Sequence, residues 1–442
     1  MKGENVAVNH VKRAAAAGAP AGAPDRAVAA TVTRMLAAIE AGGEAQTRRY
    51  ARELDGWSAE IVVPRAAIEA AAAAVPERLR DDIRYARDNI TAFARAQRDS
   101  LREVAIEPRP GLRLGQRLIP VGAVGAYVPG GRYSHIASAL MTVATARAAG
   151  VGHVTAASPA QAGRGIAPAI LYALDLAGAD SILALGGVQA IAAMAFGQFG
   201  LPAADILVGP GNAHVAEAKR QLFGRVGIDM VAGPTDCMII ADGSADAGTV
   251  AADLVAQAEH GPTSPVWLVT DNAALAAAVA GAVPGLIAAL PEPNRSAAAA
   301  AWDGRGEIIL CDTREEMAAH ADATAPEHLH VQAADPAWWR DRLRAYGSLF
   351  LGAAAAVAFG DKAAGTNHVL PTSGAARYTG GLSVLKFLKV VTWQEVAAPA
   401  LRELAEVSAR IARAEGMEGH ARSAEVRLAS PAGARPEKEG QR

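Results

Sequence analysis

"HVTAASPAQAGRGIAPAILYALDLAGADSILALGG", residues 153–187, opens on a short β-rich run and passes into an alanine-rich helical stretch. It closes on a second β-rich run followed by two glycines. Strand, helix and strand in one continuous stretch predict a βαβ unit, whose two strands lie parallel. The alternation continues outward. "DILVG" (205–209) extends the first series, and "CMIIAD" (237–242), "VWLVT" (266–270), "EIILC" (307–311), "HLHVQ" (328–332) and "SLFLG" (348–352) form a second. Helical patterns separate the runs, so the expected fold class is α/β. It comprises two Rossmann-like parallel-sheet domains, about 120–233 and 234–382, with helical N- and C-terminal extensions. There is no short-period repeat, although the two units are candidates for distant copies of one another. Residues 26–105 read as helix, and helix returns after 390. Residues 1–25, with "AAAAGAPAGAP" at 14–24, are expected to be flexible, and 429–442 a disordered tail.

The chain has 442 residues and a formal net charge of −2. That balance gives no electrostatic case for nucleic acid or an anionic membrane as partner. No apolar run is long enough to span a bilayer, and the first residues lack the apolar core of a secretory signal. Cys237 and Cys311 are the only cysteines, too few for a disulfide framework, which fits a reducing cytoplasm.

Three glycine-rich turns follow strands of the first unit: "YVPGG" (127–131), "LGGVQA" (185–190) and "VGPGN" (208–212). Backbone N–H groups in such turns can approach a phosphate near a helix N-terminus. None is a G-x-G-x-x-G fingerprint, but three on one sheet edge point to a nucleotide site. The second unit carries groups suited to a metal. "QAEHGP" (257–262) ends a helix expected over 247–260, with Gln257 and His260 on one face. "APEHLH" (325–330) places Glu327 and His328 just before a strand, and "FGDKAAGTNHVLPT" (359–372) puts Asp361 in a glycine-rich loop with His368 seven residues on. "EGMEGHA" (415–421) carries Glu415 and His420. Nitrogen and oxygen donors with one position left for substrate are what a catalytic zinc requires. Cys237, at the start of a strand, reads as a small buried hydrophobe.

Together "YVPGG", "GPGNAHVAEAKRQLFGRVGIDMVAGPTD", "DLVAQAEHGP", "APEHL" and "GDKAAGTNHVLPT" resemble the histidinol dehydrogenase family, in order and over about residues 28–428. The resemblance implies a Zn²⁺- and NAD-dependent homodimeric enzyme that oxidises a primary alcohol through an aldehyde to a carboxylate. It implies Gln257, His260, Asp361 and His420 as ligands of one zinc per subunit, His420 coming from the partner. Glu327 and His328 would be the acid/base pair, and Tyr127, Gln189 and Asn212 would contact NAD. Thr235, Gln257, His260, His328, Asp361, Glu415 and His420 would meet the substrate. The implied domains are a catalytic one (26–126 and 234–382), an NAD-binding one (127–233) and a C-terminal helical dimerisation segment (383–428).

The departures concern the substrate. Where the family has a carboxylate four residues before the metal-binding aspartate, this chain has Val357; the usual serine after "PGG" is Ala137; and the usual tyrosine after "GD" is Lys362. "RYSH" adds Arg132 and His135. Losing an acid and gaining bases favours an anionic substrate tail, since an unpaired buried ammonium is costly. "VAFGDK", "GAARYTGGLSVLKFLKVVTWQEV" and "EGMEGHAR" are similar to the sulfopropanediol dehydrogenase branch, which acts on 2,3-dihydroxypropane-1-sulfonate. Lys362, His135 and Arg377 are the candidates for holding the sulfonate. The competing readings are L-histidinol dehydrogenase, a thiol-based aldehyde dehydrogenase using Cys237, and a non-catalytic α/β binding protein.

Overall fold

The structure is a computed structural model that describes residues 9–15, 26–130, 135–161, 163–231 and 233–429. Its strands are β1 (Asn9–Lys12), β2 (Val104–Arg109), β3 (Leu112–Pro120), β4 (Ala123–Tyr127), β5 (His153–Ser158), β6 (Ser181–Ala184) and β7 (Ile206–Val208). They continue with β8 (Gly227–Ile228), β9 (Cys237–Ala241), β10 (Val266–Thr270), β11 (Gly306–Leu310), β12 (His328–Gln332), β13 (Ser348–Leu351) and β14 (Leu388–Val396). Contacts divide the chain into two compact units, residues 1–98 with 121–387, and residues 99–120 with 388–442.

The larger unit holds two parallel sheets. In one the order is β6-β5-β4-β7-β8, and in the other β11-β10-β9-β12-β13. Counted from its own first strand, each sheet runs 3-2-1-4-5, so the two α/β series repeat one topology. Parallel neighbours need crossovers, and the helices between strands supply them while covering both faces. In the second sheet, Ile239, Leu268 and Ile308 pack on one face beneath the helices Ala247–Ala258 and Ala273–Ala289. Met238, Ile240 and Leu329 pack on the other beneath Arg314–Thr324. In the first sheet the kinked helix Arg26–Leu54 lies with Gly187–Phe196 in one core with Leu183 and Leu207. Alanine dominates these helices, and its small side chain lets them approach closely.

Two expectations are corrected here. The segment expected to be flexible contains β1, which adds an antiparallel edge to β11 and is pinned by Lys12, whose Nζ donates to the Trp302 and Gly306 carbonyls (2.7 and 2.6 Å). The remaining flexible-segment residues, and all but Ala429 of the expected disordered tail, lie outside the described residues.

The smaller unit is an antiparallel sheet in the order β14-β3-β2, with the helices Ala398–Ala414 and Glu418–Glu425. The sequence pattern predicts only helix after 390 and no strand before 120, so β2, β3 and β14 correct that expectation. β14 pairs with β3 without a bulge from Leu388↔Pro120 to Val396↔Leu112. Trp393 lies flat on Gly115, where any Cβ would fall 2.2 Å from the indole. Among the described residues no helix is long and apolar enough to cross a membrane.

Candidate active site

Asp236 immediately precedes β9, and His328 is the first residue of β12, β9's neighbour, so the site is built at the amino ends of two adjacent strands. The backbone pairing brings with it a reciprocal bond. The Glu327 N–H donates to Asp236 Oδ1 (2.6 Å), and the Asp236 N–H donates to Glu327 Oε2 (3.1 Å). Asp236 also accepts from the Ser373 N–H at its other oxygen (3.1 Å), and its carbonyl receives His328 Nδ1 at 3.0 Å. A carbonyl can only accept, so His328 carries its proton on Nδ1 and turns a bare Nε2 into the site. That Nε2 is buried and has no hydrogen-bond partner. Burial first, and then His368, push the His328 ring down to about 4, which keeps it neutral. Burial lifts Asp236 to about 6 against the hydrogen bonds from Glu327 and Ser373. Burial, then the charge of Asp236, raise the Glu327 carboxyl well above its ordinary range.

Asp361 organises the other half. It belongs to the short helix Val357–Lys362, not to a loop as its glycine-rich surroundings suggested. One oxygen, Oδ1, takes a 2.6 Å hydrogen bond from His368 Nδ1 and lies 3.9 Å from His328 Nε2. The other, Oδ2, lies 3.7 Å from His260 Nε2 and 3.7 Å from Lys362 Nζ. Burial acts to raise this carboxyl, but the His368 hydrogen bond, with the nearby imidazoles and the Lys362 ammonium, brings it below the usual range, so it is ionised. His368 presses on Gly360, where a Cβ would sit 2.3 Å from its Nε2. With Nδ1 engaged by Asp361, that Nε2 is buried and has no hydrogen-bond partner among the described residues. The two rings stack at 5.2 Å.

The helix expected over 247–260 ends at Ala258, so Gln257 lies in its last turn and His260 just beyond, held by a bond from its N–H to the Gln257 carbonyl (3.3 Å). Gln257 is 3 % exposed and its Oε1 has no partner among the described residues. A buried bare amide oxygen, an imidazole nitrogen and an ionised carboxylate at the carboxyl end of a helix, where the backbone dipole favours positive charge, fit a divalent cation. His328, Asp361 and His368 also present donor atoms within 4.8 Å of one another. We assign His368 to orienting Asp361, because its Nδ1–H already holds Oδ1 and leaves Oδ2 turned to His260.

Among the remaining candidates, Thr235 is half-buried next to Asp236. His135 opens the helix Ile136–Ala149, where burial and then Lys362 lower its ring. Arg377 is exposed on a short turn and makes no ion pair with the site among the described residues, so it is not brought to the cluster. Arg132 lies outside the described residues. Glu415 and His420 belong to the smaller unit, where Glu415 ends one helix and His420 stands exposed on the next. Cys237 is fully buried, and burial pushes its thiol up, which argues against a thiolate nucleophile. Sequence reasoning missed Asp236 and gave His368 no role of its own. Only the proximity of His368 to Asp361 in sequence hinted at one of them.

The first sheet carries its candidates on the opposite edge. Tyr127 ends β4, and its hydroxyl accepts from the Gly187 N–H (3.2 Å). Gln189 is 1 % exposed, and its Oε1 has no partner. Asn212, after β7, caps the helix Ala213–Leu222 through bonds from the His214 and Val215 N–H groups (3.0 and 3.1 Å). β4 and β7 are where the strand order reverses, the position at which open parallel sheets bind ligands. Gly209, at φ +109°, runs so close that a Cβ would meet the Tyr127 carbonyl oxygen at 2.1 Å. A buried ion pair fixes this turn. Lys219 Nζ donates to the Gly209 carbonyl (2.9 Å) and to Asp229, which accepts from the Gly209 N–H (2.8 Å).

The family model for histidinol dehydrogenase matches residues 21–428. The chain belongs to the histidinol dehydrogenase family. As a member it is an oxidoreductase. A histidinol dehydrogenase homolog of Ruegeria pomeroyi is 68 % identical over 92 % of this chain and 94 % of its own length. A sulfopropanediol 3-dehydrogenase of the same organism is 61 % identical over 90 % and 92 %, and the histidinol dehydrogenase of Thermus thermophilus 43 % over 91 % and 95 %. The crystal structure of histidinol dehydrogenase from Elizabethkingia anophelis superposes with a TM-score of 0.86 at 34 % identity, covering 92 % of this chain and 93 % of that one.

Proposed function

We propose that this enzyme uses zinc and NAD to oxidise a primary alcohol through its aldehyde to a carboxylate, and that the substrate is an anionic diol, 2,3-dihydroxypropane-1-sulfonate. The observation that carries the substrate assignment is the surroundings of Asp361. Val357, on the same short helix, is 2 % exposed within the apolar core and gives no counter-charge for an ammonium, while the Lys362 ammonium stands 3.7 Å from Asp361 Oδ2. Lys362 and His135 would pair with a sulfonate through charge-assisted bonds. The 61 % identical relative named a sulfopropanediol 3-dehydrogenase supports this reading.

Gln257, His260 and Asp361 would hold the metal, with His420 as fourth ligand from a second copy of the chain in a homodimer. Residues 127–233 would form the NAD domain, with Tyr127, Gln189 and Asn212 in contact with the cofactor, and the second sheet the catalytic one. Thr235 and Glu415 would meet the substrate. Zinc supplies Lewis acidity toward a hydroxyl and NAD accepts hydride. His328, neutral and bare at Nε2, takes the proton of the reacting hydroxyl, its ring held by the Asp236 carbonyl. Glu327 then takes a proton from the water that adds to the aldehyde, and a carboxyl raised by burial is the stronger base once ionised.

The test is NAD⁺ reduction with dihydroxypropanesulfonate and with histidinol, each with and without a chelator. Two NADH per sulfonate, at least about 100-fold preference over histidinol, and loss on chelation are expected. Preference for histidinol overturns the substrate assignment, and no zinc binding and no turnover with either overturns the reaction.

A further inference from the structure

The helix Gly187–Phe196 begins at the carboxyl end of β6, and its capping residue is Gly186, which has no side chain to offer. The cap comes from elsewhere. Asp55, beyond the helix Arg26–Leu54, lays Oδ2 against the Gly186 N–H (3.0 Å) and the Gln189 Nε2 (2.9 Å), while the Gly187 N–H is taken by Tyr127. The positive end of this helix is therefore already occupied by a carboxylate. A phosphate brought there would meet a like charge at contact distance, with these two leading N–H groups already engaged. Among the described residues no lysine or arginine pairs with Asp55 to offset that repulsion.

What this corner can take is a pair of hydroxyl donors. Asp55 is half-buried, and its Oδ1 carries no hydrogen bond among the described residues. Gln189, bonded to Asp55 through its amide nitrogen, keeps a buried Oε1 without a partner. A carboxylate oxygen and an amide oxygen carried by two side chains that are bonded to each other suit the vicinal diol of a ribose. Tyr127 makes the corner continuous with the crevice between β4 and β7, since its side chain starts at the end of β4 and reaches the Gly187 N–H.

We propose that Asp55, with Gln189, receives a ribose diol of the dinucleotide and makes the enzyme reject a cofactor that carries a 2′-phosphate. This rests on the reading that Tyr127, Gln189 and Asn212 hold the cofactor. The experiment titrates NADH, NADPH and 2′-deoxy-NADH into the full-length wild type and Asp55→Asn by fluorescence, with kcat/KM for NAD⁺ and NADP⁺ alongside. Wild type should bind 2′-deoxy-NADH at least tenfold more weakly than NADH. In Asp55→Asn that gap should close, and the NAD⁺ to NADP⁺ preference should fall at least tenfold. Wild type binding the deoxy analogue as tightly as NADH overturns the proposal even if the variant fails to fold. So does an equal loss for both cofactors, the result expected of a helix cap alone. Failure of the underlying reading looks different: NADH binding would then be indifferent to Asn212→Ala and Gln189→Ala.

Discussion

The two parallel sheets share one strand order yet present their polar groups at opposite ends. The first uses its carboxyl edge, where glycine turns and the positive ends of helices converge on Tyr127 and Asn212. The second uses its amino edge, where Asp236 and His328 begin adjacent strands and the helix Ala247–Ala258 delivers Gln257 with its negative end. Parallel sheets ordinarily bind ligands at the carboxyl edge, so the second sheet is the exception. Dipole direction gives the reason: helix N-termini suit anionic or polar groups, helix C-termini a cation. One topology serves both purposes by changing which edge is furnished.

The sharpest way to break this division is His328→Ala. It should lower kcat by about 10³-fold while NADH binding, read by fluorescence, stays within a factor of about two; parallel loss of both would merge the edges into one. Glu327→Gln should slow oxidation of the aldehyde more than that of the alcohol, and equal slowing counts against the separate roles. Gly209→Ala strikes the other edge, since its Cβ has no room beside the Tyr127 carbonyl and its φ is left-handed. It should weaken NADH binding by about tenfold or more with zinc content unchanged by metal analysis. Lys362→Gln should raise KM for the sulfonated diol by about tenfold with kcat unchanged, because a charge-assisted pair is worth roughly 1.5–3 kcal/mol.

The smallest effect concerns Asp236. Its folded value near 6 exceeds the ordinary carboxylate value, so wild type loses stability as pH rises through that interval. Asparagine does not titrate. In metal-free protein the deficit of Asp236→Asn relative to wild type should therefore shrink by roughly 2 kcal/mol between pH 4.5 and 7.5, measured by denaturant melts. A deficit that grew with pH would mean the carboxyl is not raised.

The strands of both parallel sheets, the two-residue β8 aside, were legible because a buried parallel strand is a short apolar run between helical stretches. β14 was not, since half-exposed Val390 and Val396 alternate with charged and polar residues and its partner β3 lies far back in the chain. The juxtaposition of Gln257 and His260 at one helix end was legible from spacing. Asp236 was not, because an acid before a strand acquires meaning only when β12 pairs beside it. His328 and His330 show the same limit. They share a face of β12, yet His330 is fully buried and spends its Nε2 on the Gly352 carbonyl (2.9 Å), leaving only His328 with a nitrogen to use.

The bare Nε2 of His328 bears on the order of events. It is a buried hydrogen-bond acceptor, and leaving such a group unpaired costs about 1–3 kcal/mol. An alcohol can quench that deficit with its O–H, and so can an aldehyde once hydrated, but a free aldehyde brings no hydrogen to give. On the proposed role of His328, the pocket therefore disfavours the carbonyl midway compound and draws it toward its hydrate, so that addition of water follows the first oxidation without the product leaving.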